Sequence, residues 1–388
     1  MRAQTILLAA LLALTLGCGA SQPPARSAAP PAAVAAGPGA APAAATPATG
    51  QSQWDEVLAA ARKEGKVVVD VPAEVVDQYR SAFRDFREQF GIEVEARAGS
   101  TADTAQLILR ECAVGRPSLD VALGGMSETL EVYPRGCLTP LRPRLILPEV
   151  TDTSKWRGGH LTFNDPEDQY FLQLGESVYG MPLINTERLR PEELASSRDL
   201  LKPELKGKIV SYDPRRAGAG QSDATYFLGV LGPDFVGELY KGQDVTNTAD
   251  HRQLAEGVAR GVYLVGLGHV ERGVEPLRRE GLPLGVATLQ DAPGYVVGGS
   301  TVLKLIKDAA HPNAATVMAN WMASRDGQRT MMEIIGQPSR RTDVEVPDSV
   351  PSYRIPKDGV SYQDAYDYDY YVNKRPESGR VLLDLLGR

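Results

Sequence analysis

Residues 66–99 read KVVVDVPAEVVDQYRSAFRDFREQFGIEVEARAG, and this stretch decides the class of fold. Lys66–Val71 is a nearly continuous apolar run, the pattern of a strand buried in a parallel sheet. Val75, Tyr79, Phe83, Phe86 and Phe90 then recur at four, four, three and four residues. That spacing predicts an amphipathic helix, and Gly91 can stop it. Ile92–Ala96 alternates apolar and charged residues as a strand does. Upstream, Trp54, Val57, Leu58 and Ala61 fall at helical spacing before Gly65. Downstream, Gly99-Ser100-Thr101, with Asp103 three places after Ser100, reads as a loop feeding a capped helix. Ala105, Ile108, Leu109 and Cys112 form that helix's inner face, and Leu119–Leu123 is a further short strand running into Gly124-Gly125-Met126-Ser127. Helices and strands alternating with short links predict an α/β fold, a parallel sheet covered by helices.

The order resets after residue 150. Residues 151–178 are polar and aromatic with no clean period, and Tyr179–Asn185 reads as one extended crossing segment. Ile209–Tyr212 is a predicted strand ending in the loop Asp213–Gln221, after which Ser222 is expected to cap a helix. A helix near 250–260 and a buried strand, Val262–Leu267, lead into Gly268-His269-Val270-Glu271, a second α/β unit. Val286–Val297 holds an extended stretch that returns toward the first unit. Pro312 opens a helix, a second carries Met331, Met332 and Ile335, and Val381–Leu386 is an apolar, helix-like end.

The start of the chain is of another kind. Arg2 and the apolar run Ile6–Leu16 form a secretory signal, too short to span a bilayer. It ends Thr15-Leu16-Gly17-Cys18, a lipoprotein ending in which Thr15 departs from the usual leucine-like residue. Cys18 is thus expected to be lipidated and to anchor the exported chain at the cell surface or in the periplasm. An ordinary signal cleaved at another small residue is the alternative. Residues 19–51, nearly all Ala, Pro, Gly, Ser and Thr, bury too little to repay ordering and read as a tether. The remaining length suits two lobes.

The net charge of −7 and the lack of a basic run give no pull toward nucleic acid. With Cys18 set aside, Cys112 and Cys137 are two thiols in an oxidising compartment, either paired or buried singly. No dinucleotide fingerprint, phosphate loop, nucleophile elbow or paired-histidine metal motif is present, and no cofactor is expected. What recurs is a strand, a small-residue loop and a helix start. Helix starts present unpaired N–H groups to a cleft at the strands' carboxyl ends and suit an anion. The candidate ligand contacts are Ser100, Thr101, Gly125, Ser127, Asn185, Arg215, Arg216, Ser222 and His269. Arg215-Arg216 beside a glycine-rich bend is the strongest of them.

Several stretches, in order, carry a family resemblance. They are Trp54–Leu58 with Lys63–Lys66, Ile184-Asn185-Thr186-Glu187-Arg188-Leu189, Leu205–Ile209 with Asp213-Pro214, and His311–Ala315 with Asp326-Gly327-Gln328. Together they resemble the type II periplasmic binding proteins of bacterial ABC importers, most of all the ferric-iron-type group. The resemblance implies two discontinuous α/β lobes, joined by hinge strands, that close on a small-molecule ligand. It places lobe 1 at 52–180 and 292–345 and lobe 2 at 181–291, with 346–388 a C-terminal extension packing on them. It implies a monomer that hands its ligand to a membrane permease, and no catalysis. The iron binders carry a tyrosine pair where this chain has Gly268–Glu271, and Tyr370-Tyr371 lies in the tail, where packing is expected. An organic anion is therefore the expected ligand. Ferric iron or an iron complex, with His269 and Glu271 as possible ligands, is the alternative. An exported hydrolase and a ligand sensor for a signalling receptor are the other classes.

Overall fold

The computed structural model describes residues 50–126, 131–216 and 218–387. The expectations for the signal segment, for Cys18, for all but the end of the tether and for Ser127 lie outside these residues. Helix α1 (Gly50–Glu64) leads into β1 (Lys66–Pro72), α2 (Val76–Phe90) and β2 (Glu93–Gly99). β1 and β2 are parallel over their whole length, from Lys66 opposite Glu93 to Pro72 opposite Gly99. The helix between them ends where Gly91 takes a left-handed conformation. Tyr79, Phe83, Phe86 and Phe90 are the buried stripe of α2, and Phe86 meets Trp321 edge-on at 5.4 Å. Each such ring removed from water contributes about 1.5–3 kcal/mol.

α3 (Thr101–Val114) follows, and β3 (Val121–Gly124) lies parallel to β1 on its other side. The sheet continues as β2-β1-β3-β13-β4, with β5 (Leu172–Gln173) also on β13. Here β4 is Leu138–Thr139 and β13 is Val302–Ile306. β13 is buried throughout and antiparallel to β3, so a late piece of chain completes the first lobe. Cys112, near the end of α3, is disulfide-bonded to Cys137, with Cα atoms 5.7 Å apart.

The second lobe has the strand order β11-β7-β10-β8-β9. These are β7 (Leu183–Asn185), β8 (Ile209–Tyr212), β9 (Thr246–Thr248), β10 (Val265–Leu267) and β11 (Leu284–Val286). β10, β8 and β9 are parallel, while β7 and β11 run against their neighbours. Between the lobes lies a ribbon of β6 (Ser177–Tyr179), β12 (Tyr295–Val297) and β14 (Gln363–Asp364). The run expected to cross as one, Tyr179–Asn185, is therefore the end of a ribbon strand and a second-lobe strand. Gly180–Pro182 bends between them.

Two further expectations need correction. The strand predicted from Val262 begins only at Val265, because the amides of Val262 and Tyr263 bond the Gly257 carbonyl and finish the preceding helix. Val262 is accordingly 56 % exposed. Ser222 does not cap its helix. The helix runs Ala219–Gly237, Gly218 stands at the cap, and the Ser222 amide already bonds the Gly218 carbonyl at 3.0 Å. The chain ends in a helix, Arg375–Leu386, whose Leu382 is buried in the second lobe's core. Tyr366 and Tyr371, just before it, pack on a first-lobe cluster that includes Ala105 and Ile108. Among the described residues no helix is long and apolar enough to cross a membrane.

Candidate functional site

In each lobe the parallel strands deliver their carboxyl ends to one edge. On the second lobe, Tyr212, Thr248 and Leu267 end β8, β9 and β10, and helices begin after them at Ala219, His251 and Glu271. Three helix starts at one edge are the arrangement that attracts negative charge. The loops there are locked together. Gly268 has φ +71°, and a Cβ on it would lie 2.6 Å from the Gly220 Cα, so only glycine allows the two backbones to touch. The Gly268 amide donates to Asp223 Oδ2 at 2.7 Å, and the Tyr295 hydroxyl donates to Asp223 Oδ1 at 3.0 Å. Asp223 thus ties the His269 loop to the ribbon strand β12. Burial pushes its carboxyl up to about 7, against the two hydrogen bonds that favour the charge.

His269 is half-buried, and its Nδ1 atom is buried without a hydrogen-bond partner. Burial lowers its pKa to about 4, so the ring is neutral at neutral pH. Beside it, His251 stacks on Tyr212 at 3.9 Å, and its Nδ1 is likewise buried. Burial, then Arg272, lower the His251 pKa, against Asp250 and a hydrogen bond to the Gly268 backbone that favour the charged ring. Arg354 comes from far along the chain, lies 4.5 Å over the Tyr179 ring and donates to the Tyr179 hydroxyl. Its Nε is buried without a partner. The buried, unpartnered nitrogens of His269 and Arg354 call for water or a ligand. His251, Asp223, Tyr179, Tyr295 and Arg354 were not among the sequence candidates.

The predicted contacts divide. Arg215, Arg216 and His269 share the second-lobe edge, with Ser222 in the first turn of its helix. Arg215 is held within its own loop, its Nε 2.8 Å from Asp213 Oδ1, whereas Arg216 is exposed with no carboxylate partner among the described residues. The Arg215 hydrogen bond, despite some burial, lowers the Asp213 pKa. The Ser222 hydroxyl turns back to the Gly218 carbonyl at 3.1 Å. On the first lobe, Ser100 caps α3, accepting from the Asp103 amide at 3.2 Å, and Thr101 is the helix's first residue. The Gly125 carbonyl accepts from Lys304 Nζ at 3.1 Å. Among the described residues no hydrogen bond or ion pair joins Ser100 or Gly125 to the second-lobe loops.

Asn185 is a correction. β7 runs against β10, so Asn185 sits beside Leu264, at the wrong end of the sheet for the site. Its amide donates to the Val258 and Ala259 carbonyls at 2.8 and 3.1 Å and closes a helix end. Glu271, the carboxylate of the metal alternative, is already engaged. Glu271 accepts from Arg278 at 2.7 Å and from the Tyr353 hydroxyl at 2.6 Å, and these bonds outweigh burial to lower its pKa. No group of three or more His, Cys, Asp or Glu side chains among the described residues could hold a metal ion.

Residues 81–355 match the family described as bacterial extracellular solute-binding protein. The chain belongs to that family. The solute-binding protein therefore has the two-lobed fold of the exported proteins that serve ABC transporters. It is 24 % identical over 286 residues to an uncharacterized protein of Haemophilus influenzae, covering 70 % of this chain and 77 % of the relative. Among solved structures it resembles the Trichodesmium protein IdiA (FutA) in complex with iron and citrate, with TM-score 0.64 and 16 % identity over 83 % of this chain and 99 % of that one. It also resembles iron-bound HitA from Pseudomonas aeruginosa, with TM-score 0.59 and 15 % identity over 82 % and 99 % of the two chains. AfuA from Actinobacillus pleuropneumoniae, with fructose-6-phosphate bound, gives TM-score 0.54 and 19 % identity over 82 % and 98 %. At these identities the likeness of the solute-binding protein to solved structures concerns the fold.

Proposed function

We propose that this solute-binding protein captures a small organic anion between its lobes and delivers it, unaltered, to an ABC permease. In this reading it is a monomer held at the membrane by a lipid on Cys18. The observation that carries the ligand class is the second-lobe edge. There Arg216 is exposed and forms no close ion pair among the described residues, and His269 and Arg354 each present a buried nitrogen without a hydrogen-bond partner. An acidic ligand satisfies such groups, and the neutral His269 can donate to it from either ring nitrogen, depending on tautomer. Citrate in one structural relative and a sugar phosphate in another are ligands of this chemical kind.

Ferric iron is the second reading, favoured by the iron-bound relatives. The engagement of Glu271 by Arg278 and Tyr353 weighs against it. A thermal-shift screen with organic carboxylates, phosphonates, amino acids and ferric salts separates the two. A ligand at 100 times its Kd stabilises the fold by about 2.7 kcal/mol, which is visible as a raised Tm. Stabilisation by a carboxylate or phosphonate supports the proposal, and stabilisation by ferric salts alone refutes it.

A further inference from the structure

The C-terminal helix Arg375–Leu386 and the first turn of the helix Ala219–Gly237 flank an open pocket of about 390 Å³. Gln221 lines it from the second lobe, and Tyr371, Arg375, Pro376, Arg380 and Leu383 line it from the C-terminal segment. The lining holds two guanidinium groups and no carboxylate. That is unusual for this protein. Four other partly or fully buried arginines are matched to acids, Arg278 to Glu271, Arg340 to Glu176, Arg341 to Asp343 and Arg215 to Asp213, and Arg354 at the strand-end edge is an exception like Arg375. Arg375 is half-buried, yet among the described residues its polar contact is Nη2 to Ser222 Oγ at 3.5 Å. Its guanidinium carbon lies 5.2 Å from the centre of the Tyr371 ring, which orients the charge without neutralising it. A cation drawn from water without a counter-ion is costly, and a bound anion removes that cost.

The pocket is not isolated from the two-lobed machinery. Tyr371 rests on the first-lobe cluster, while Leu382, one residue from Leu383, is buried in the second-lobe core. The residues of the segment that form it lie beyond residue 355, outside the part of the chain that matches the family.

We infer that this pocket is an anion-binding site of its own, distinct from the strand-end edge, and that it takes a small organic acid. The acidic group meets Arg375, Arg380 and the Gln221 amide, and the carbon frame lies along Pro376 and Leu383. Occupied, the site joins the C-terminal segment to the second lobe through a shared counter-ion.

The test is calorimetric titration of the full chain with benzoate and, separately, with inorganic phosphate. The first probe carries a carboxylate and an apolar ring, and the second an oxyanion alone. Wild type is compared with Arg375→Gln, with Arg380→Glu and with the double variant Arg216→Ala, His269→Gln. Arg380 is exposed, so its substitution leaves folding intact. The site predicts saturable benzoate binding, tighter than phosphate, weakened about 10-fold or more by either Arg375→Gln or Arg380→Glu. The strand-end double variant retains this binding. Failure of both probes to bind wild type overturns the inference. So does binding that both pocket variants leave unchanged, and so does phosphate binding as tightly as benzoate.

Discussion

Replacing Asp223 with Asn tests the network that fixes the His269 loop. The buried carboxyl accepts from the Gly268 amide and the Tyr295 hydroxyl, and its pKa is raised to about 7 from an ordinary value near 3.8. A carboxyl with a raised folded pKa keeps its proton in the folded chain after the unfolded chain has lost it. Its stabilising contribution is complete below pH about 4 and is lost as pH rises through about 7. The shift of about three units corresponds to about 4 kcal/mol at 1.36 kcal/mol per unit. Asn keeps an acceptor oxygen and never ionises. The stability of Asp223→Asn relative to wild type should therefore rise by about 4 kcal/mol between pH about 4 and about 8. At about 2 °C per kcal/mol for a body of this size, that is about 8 °C in Tm. His269, lowered to about 4, has the opposite sign, with stability lost as pH falls, but it is common to both proteins and cancels in the difference. Paired thermal melts across this range are the assay. A Tm difference that does not change with pH refutes the buried, proton-holding carboxyl.

Two further outcomes concern the frame around the site. Asn185→Ala should cost about 1–3 kcal/mol, because the carbonyls of Val258 and Ala259 lose their donor. Titration should show ligand affinity unchanged, since Asn185 stands at the far end of the sheet. Reducing the Cys112–Cys137 disulfide, which spans 25 residues, should lower stability by about 3 kcal/mol. Denaturant melts with and without reductant measure that loss.

The unit at residues 66–99 was legible because its signal is local. Four aromatic residues at helical spacing and an apolar strand state their own pairing. β13 and the ribbon strands were not read as such. Three-residue strands such as β6 and β12 are too short to show a period, and their partners lie more than a hundred residues away. The candidate edge was legible by position more than by side chain. Loops after strands do gather Arg215, Arg216 and His269 at one edge. Sequence alone could not show that Asp213 occupies Arg215, or that Ser100 and Ser222 turn their hydroxyls to their own helices. Asn185 misled because its motif neighbours the hinge in sequence while β7 carries it away from the cleft. Arg354 and Tyr353 reach the site only through the tertiary path of the C-terminal segment, for which no local pattern exists. The tyrosine-rich tail was the visible trace of that path.

The most direct test of the account is calorimetric titration of the protein with the anion that gives the largest thermal shift, followed by chemical analysis of the recovered compound. The account predicts saturable binding with a component weakened about 10-fold or more in the Arg216→Ala, His269→Gln variant, and the compound recovered unchanged. Affinity indifferent to that variant, binding confined to ferric ion, or a compound recovered as product would contradict it.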